Sequence, residues 1–232
     1  MKILLFDIDH TLLYTGGGGS RALDYAFKKV FNLDGGMKEV SVAGKTDPLI
    51  VAEVVKKRLN ASPTAEEISD ALDVYIKRLA IEIADTSSGH IKKGLLNLLN
   101  ELSTRDDILL GILTGNIEGG ANLKLDAFNL RGYFRFGAYS SDSPDRNKLV
   151  AVAKERAERL IGRKLAPSEP IVVIGDTPYD IACAKAAGVY SIAVATGPYS
   201  VEELKQNNPN LVIEDLDSGK EIFLNFVNSL ER

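Results

Sequence analysis

The chain has 232 residues, 45% hydrophobic and 26% charged, with a net charge of −4. This is an ordinary globular composition, long enough for one core with an insertion, and it excludes the basic surplus that nucleic acid or an anionic lipid surface selects. A single cysteine, Cys183, rules out an internal disulfide and favours a cytoplasmic setting, and Asp7 interrupts the N-terminal apolar run too early for an export signal.

The first apolar run, Ile3-Leu4-Leu5-Phe6, suits a strand buried on both faces of a parallel sheet. Residues 14–87 hold no comparable run and predict helices instead. Ser20–Phe31 and Pro48–Leu59 are two of them. A third begins at the capping box Thr64-Ala65-Glu66-Glu67 and carries Ile68, Leu72, Tyr75, Leu79 and Ile83 on one face. Gly16–Gly19 at the entrance and Thr86–Gly89 at the exit are candidate hinges, although four glycines also suit a plain mobile turn. Beyond this block, Leu95, Leu98, Leu99 and Leu102 repeat at helical spacing. The run 108–113 predicts a second buried strand, and Leu149, Val152, Ala153 and Leu160 a further helix. Strands follow at 171–174, 191–194 and 211–213. No apolar stretch approaches the roughly 20 residues of a membrane span. Alternation of strand and helix predicts an α/β fold, a doubly wound Rossmann-like parallel sheet. The helical block is too long for one crossover and reads as an insertion, giving a core of residues 1–13 and 88–232 and an α-helical cap of residues 14–87.

The candidate chemistry sits just after predicted strands: Asp7 and Asp9 after the first, Thr114 after the second, Asp176 after the third. In an open parallel sheet the carboxyl ends of the strands line one crevice, so residues far apart in sequence converge there. Asp7-Ile8-Asp9-His10-Thr11 sets two carboxylates side by side, which repel unless a cation or proton compensates. Gly175-Asp176-Thr177-Pro178-Tyr179-Asp180 combines a tight turn, an acid at the crevice, a proline suited to a first helical turn, and Asp180 four residues on. Taken alone, it is also a helix start with acids facing the dipole. Leu113-Thr114-Gly115-Asn116 offers a hydroxyl and backbone N–H groups that can hold phosphate oxygens, and reads equally as a plain turn. Lys148 stands near the start of a helix, where a lysine is ordinarily solvated.

Together and in this order, D-x-D-x-T at Asp7–Thr11, apolar-Thr-Gly-Asn at Leu113–Asn116, Lys148, and G-D-x-x-x-D at Gly175–Asp180 resemble the motifs of haloacid-dehalogenase-like hydrolases. The helical insertion is similar to the C1 cap of the phosphoglycolate-phosphatase-like branch, as are Thr15–Gly18 and Gly44-Lys45-Thr46-Asp47. The resemblance implies a Mg²⁺-dependent phosphatase acting on a small phosphorylated metabolite, with Asp7 as nucleophile and Asp9 as general acid and base. It implies that Thr114, Gly115, Asn116 and Lys148 hold the phosphoryl oxygens. Asp7, Asp176 and the Asp9 carbonyl would hold Mg²⁺, and Asp180 would support the metal or orient Lys148. His10 departs from the glycine common at its place in the family and reads as a flanking residue. Arg21, Lys45 and Thr46 are candidate cap contacts to the leaving group, or mere anchors of cap helices.

The carboxylate at Asp9 argues against a true dehalogenase, which has no leaving alcohol to protonate. A phosphomutase stays open, because such enzymes share all four motifs and the cap. So does a non-catalytic relative that binds phosphorylated ligands.

Overall fold

The computed structural model describes residues 1–38 and 40–230. β1 (Lys2–Phe6) is buried along its whole length. After it the chain makes a two-residue strand, β2 (Leu13–Tyr14), and three helices, α1 (Gly18–Phe31), α2 (Asp47–Leu59) and α3 (Ala65–Glu82). It returns through β3 (His90–Ile91) and α4 (Leu95–Ser103) to β4 (Ile108–Leu113), α5 (Glu118–Ala127) and β5 (Phe136–Ala138). α6 (Leu149–Ile161), β6 (Ile171–Gly175), α7 (Pro178–Ala186), β7 (Tyr190–Val194), α8 (Val201–Gln206), β8 (Leu211–Ile213) and α9 (Lys220–Ser229) complete it. No helix among the described residues is long and apolar enough to cross a membrane.

Six of these strands form one parallel sheet in the order β5-β4-β1-β6-β7-β8. The chain fills the β4–β5 side of β1 first and then the β6–β8 side, so the winding reverses at β1. Side chains alternate between the two faces. Leu4, Phe6, Leu110, Ile112, Val172 and Ile174 pack with Leu98 and Leu102 of α4 and Phe223 and Val227 of α9. Ile3, Leu5, Leu109, Leu113 and Val173 pack with Val150 and Ala153 of α6 and Ala184 of α7. Each fully buried aliphatic side chain contributes about 1.5–3 kcal/mol, and burial on both faces explains why these strands read as unbroken apolar runs. β5 gives no such run: it is three residues long with Gly137 at its centre.

Helices α1, α2 and α3 share an apolar cluster of their own, with Leu23, Phe27, Val51, Val54, Leu72, Tyr75 and Leu79 at its heart. The capping box at Thr64 and Glu67 forms as expected. The expectation of four hinge glycines is corrected. Gly16 and Gly17 take left-handed φ of 65° and 81°, but Gly18 and Gly19 wind into the first turn of α1. The passage between helical block and sheet is instead braced by β2 pairing antiparallel with β3, Leu13 to Ile91 and Tyr14 to His90. A Cβ on Gly16 would come within 2.2 Å of the Ser88 hydroxyl, so the two connecting segments touch.

Candidate active site

The reversal at β1 opens the crevice. Asp7 leaves β1, Thr114 leaves β4 and Asp176 follows β6, and all three strands are neighbours in the sheet. Asp7, Thr114 and Asp176 are buried, and they line one cavity of ≈ 580 Å³ together with Asp9 and side chains from the helical block.

The acids have distinct partners. Asp7, Asp176 and Asp180 bring carboxylate oxygens within 4.8 Å of one another. Burial, and then the neighbouring acids, push Asp7 up to about 6 against the pull of Arg146. Asp176 is raised well above the ordinary carboxylate range for the same reasons, burial first and then Asp180 and Asp7; the Thr11 hydroxyl donates to it at 3.2 Å. Three buried, apposed carboxylates supply only hard oxygen donors, and the one cation among them, Arg146, leaves a surplus of negative charge, which fits a divalent cation. Asp9 is different. Burial would raise it, but Lys124 Nζ lies 2.8 and 2.6 Å from its two oxygens and Asn116 Nδ2 donates at 2.8 Å, and these hold its pKa below the usual value.

The loop after β4 is folded around its own hydroxyl. Thr114 Oγ1 accepts from the Asn116 side chain at 2.9 Å and from the Asn116 N–H at 3.3 Å. Gly115 is there because the chain passes closely: a Cβ would lie 2.2 Å from the Lys45 carbonyl oxygen.

The structure corrects the expected cation. Lys148 is exposed and does not line the cavity. Residues 146–148 form a 3₁₀ turn before α6, and its inward-facing member is Arg146. That guanidinium is buried, stands 3.4 Å from Asp7, pairs with Asp180, and donates to the Gly44 carbonyl at 3.1 Å. Its Nε is buried without a hydrogen-bond partner among the described residues. Asp180 therefore orients Arg146, not Lys148, while its other oxygen accepts from the Thr177 N–H at 3.1 Å and hydroxyl at 2.7 Å.

Of the cap candidates, Arg21 turns away from the cavity to Glu82 at 2.6 Å and the Gly16 carbonyl at 2.7 Å. Thr46 is buried and donates to the Pro144 carbonyl at 2.9 Å, an anchor to the sheet layer. Lys45 lines the cavity but its ammonium is held by Glu53 at 2.5 Å. His10 lines the cavity too and adopts φ 60°, the left-handed backbone that explains a glycine preference at this place.

Three residues escaped the sequence reading: Arg146, Lys124 and Asp47. Lys124 shares its stripe of α5 with buried Gly120 and Ala121, which is a detectable signal for an inward lysine. Asp47 opens α2 and reads as a capping acid. In the fold its carboxylate accepts from the Ile117 N–H at 2.9 Å and its own N–H donates to the Gly115 carbonyl at 2.8 Å.

Comparison with known proteins agrees with this geometry. The profile of the family described as haloacid dehalogenase-like hydrolase matches residues 4–194. Phosphoglycolate phosphatase of Pseudomonas savastanoi is 24% identical over 98% of this chain and 85% of its own length. A protein of Caldanaerobacter subterraneus carrying the name of a pyrophosphatase is 26% identical over 93% of this chain and 92% of its own. The fold is shared with a hydrolase from Pseudomonas syringae, at a TM-score of 0.74 and 20% identity, covering 97% of this chain and 99% of that one.

Proposed function

This chain belongs to the haloacid dehalogenase-like hydrolases, and from that premise we propose that it is a Mg²⁺-dependent phosphatase that hydrolyses a small-molecule phosphomonoester through an aspartyl-phosphate on Asp7. The observation that carries the reading is the convergence of Asp7, Asp9, Thr114, Arg146 and Asp176 on one cavity. Phosphatase and pyrophosphatase names among the relatives support the same reaction class.

Asp7 is the nucleophile: one carboxylate oxygen attacks phosphorus in line with the leaving oxygen, and the other faces Asp176. Arg146, kept in place by Asp180, offsets charge on the transferring phosphoryl oxygens, and the Thr114 hydroxyl with the N–H groups of the 114–116 loop receives the others. Asp9, oriented by Lys124 and Asn116, passes the proton of a monoanionic phosphate ester to the departing alcohol oxygen and then takes one from the water that discharges the phosphoenzyme. Asp7, Asp176 and the Asp9 backbone carbonyl would hold Mg²⁺, which supplies the positive charge that lets an anionic nucleophile approach an anionic phosphate. Helices α1–α3, residues 14–87, act as a cap over the crevice and contribute the wall against the leaving group.

The test is phosphate release from a panel of phosphomonoesters with Mg²⁺ and with EDTA, for the wild type and Asp7→Asn. Metal-dependent release that vanishes in the variant supports the reading. Transfer of the phosphoryl group to a sugar hydroxyl in place of water would mark a mutase, and no turnover of any ester would mark a binding relative.

A further inference from the structure

The helical block's share of the cavity lining is largely apolar, with Ser20, Ser41, Lys45 and Asp47 among its polar members. Leu23, Met37, Val40, Val42, Ile50 and Tyr75 line it, contributed by α1, the segment before α2, α2 itself and α3. At ≈ 580 Å³ the cavity is far larger than a phosphoryl group on a two-carbon acid requires, and falls in the range that buries an organic ligand of drug size.

Charge is the second observation. The lining residues include four carboxylates, Asp7, Asp9, Asp47 and Asp176, against Lys45, Lys124 and Arg146. Each of those cations is engaged: Lys45 with Glu53, Lys124 with Asp9, Arg146 with Asp7 and Asp180. The arginine nearest the cap entrance, Arg21, is turned to Glu82 and lies outside the lining. Among the described residues, the one cap cation that lines the cavity, Lys45, is therefore committed, and the other ionisable group the cap adds there, Asp47, offers a second anionic group no counter-charge. A carboxylate or second phosphate on the leaving side would lose its hydration without gaining a partner.

Resting on the phosphatase reading above, we propose that the substrates are monoesters whose alcohol portion is uncharged and largely apolar, and that the enzyme discriminates against phosphoryl compounds with a second anionic group, the ester phosphoglycolate and the anhydride pyrophosphate included. Discrimination arises from the missing counter-charge as much as from shape, so it is strongest between ligands of equal reactivity that differ in charge alone.

The experiment compares kcat/KM with Mg²⁺ for benzyl phosphate, 4-carboxybenzyl phosphate, phosphoglycolate and pyrophosphate, in the wild type and in Val42→Arg. Val42 is a partly buried loop residue outside the reacting groups, and the substitution places a guanidinium on the apolar wall. The expected result is benzyl phosphate ahead of the three substrates that carry a second anionic group by about tenfold or more, with the gap to the carboxybenzyl ester narrowing in Val42→Arg. If Val42→Arg fails to fold, Ile50→Lys provides the same added charge from α2. Equal or better turnover of the carboxybenzyl ester or phosphoglycolate by the wild type overturns the inference and leaves the phosphatase reading intact. Absence of Mg²⁺-dependent turnover of any of the four overturns both.

Discussion

The guanidinium nitrogen Nη2 of Arg146 stands 3.4 Å from the Asp7 carboxylate and pairs at the same time with Asp180, four residues after Asp176. One planar cation thereby ties the segment before α6 to the ends of β1 and β6. A third contact, to the Gly44 carbonyl, reaches the loop that leads into α2. A lysine is a single point charge and cannot make these three contacts in one plane. Arg146→Ala is expected to lower kcat/KM by about 10²–10³ and to destabilise the fold by about 3–5 kcal/mol, because it strands buried acids. Lys148→Ala, on an exposed side chain, is expected to leave turnover unchanged and stability within about 0.5 kcal/mol. Steady-state kinetics and urea unfolding of the two variants decide which residue is the site cation.

The cluster of Asp7, Asp176 and Asp180 is expected to make the stability of the protein depend on Mg²⁺. A cation bound only by the folded state at about a hundred times its Kd adds about 2.7 kcal/mol, or roughly 5–10 °C in Tm for a chain of this size. Asp176→Asn removes one of the three clustered carboxylates and is expected to abolish most of that shift. Thermal unfolding with and without Mg²⁺ reads it directly; an equal shift in the variant would place the cation elsewhere.

Gly115 is where the loop after β4 and the loop before α2 touch. A Cβ there would sit 2.2 Å from the Lys45 carbonyl oxygen, which is backbone and cannot rotate away. Gly115→Ala is expected to push the 44–47 segment off the crevice and break the Asp47 N–H to Gly115 carbonyl bond. The measurement is kcat/KM beside urea unfolding, with about a tenfold or greater fall in kcat/KM expected and global stability nearly retained.

Asp47 supplies a pH dependence of known sign. Burial raises its carboxyl to about 7, with Lys124 and the Ile117 N–H pulling the other way. A carboxyl raised in the fold favours the folded state below its unfolded value of 3.8, and that contribution is lost as pH rises through about 7. Asp47→Asn keeps an oxygen for the Ile117 N–H but has no charge to bury. The wild type is expected to lose stability between about pH 4 and pH 7 more steeply than the variant, as measured by denaturant midpoints across that interval.

The buried strands were legible in sequence because both faces of each are covered, so runs such as 108–113 and 171–174 admit few other readings. β5 and the two-residue strands were not, being too short to carry a pattern. Asp7, Asp9 and Asp176 stood out because each follows such a strand, whereas Asp47, at the start of a helix, did not. Nor was the site cation legible. Arg146, Asn147 and Lys148 occupy consecutive positions of a 3₁₀ turn, and which one faces inward depends on how that turn meets β1 and β6. Lys124 was missed for a related reason. Its role follows from its stripe of α5, which matters only once α5 is known to pass beside Asp9. Arg21 was misplaced because a long flexible cation finds the nearest acid, here Glu82 on α3, in preference to a cavity.

In the proposed reaction a covalent phosphoryl group passes through Asp7. Acid quenching during turnover of an accepted ester with Mg²⁺, followed by peptide mass spectrometry, tests that step most directly. One phosphoryl group is expected on the Asp7 carboxylate, formed and lost at rates compatible with turnover and absent from Asp7→Asn. Sustained turnover by Asp7→Asn, or a phosphoryl group trapped on a different residue, would contradict it.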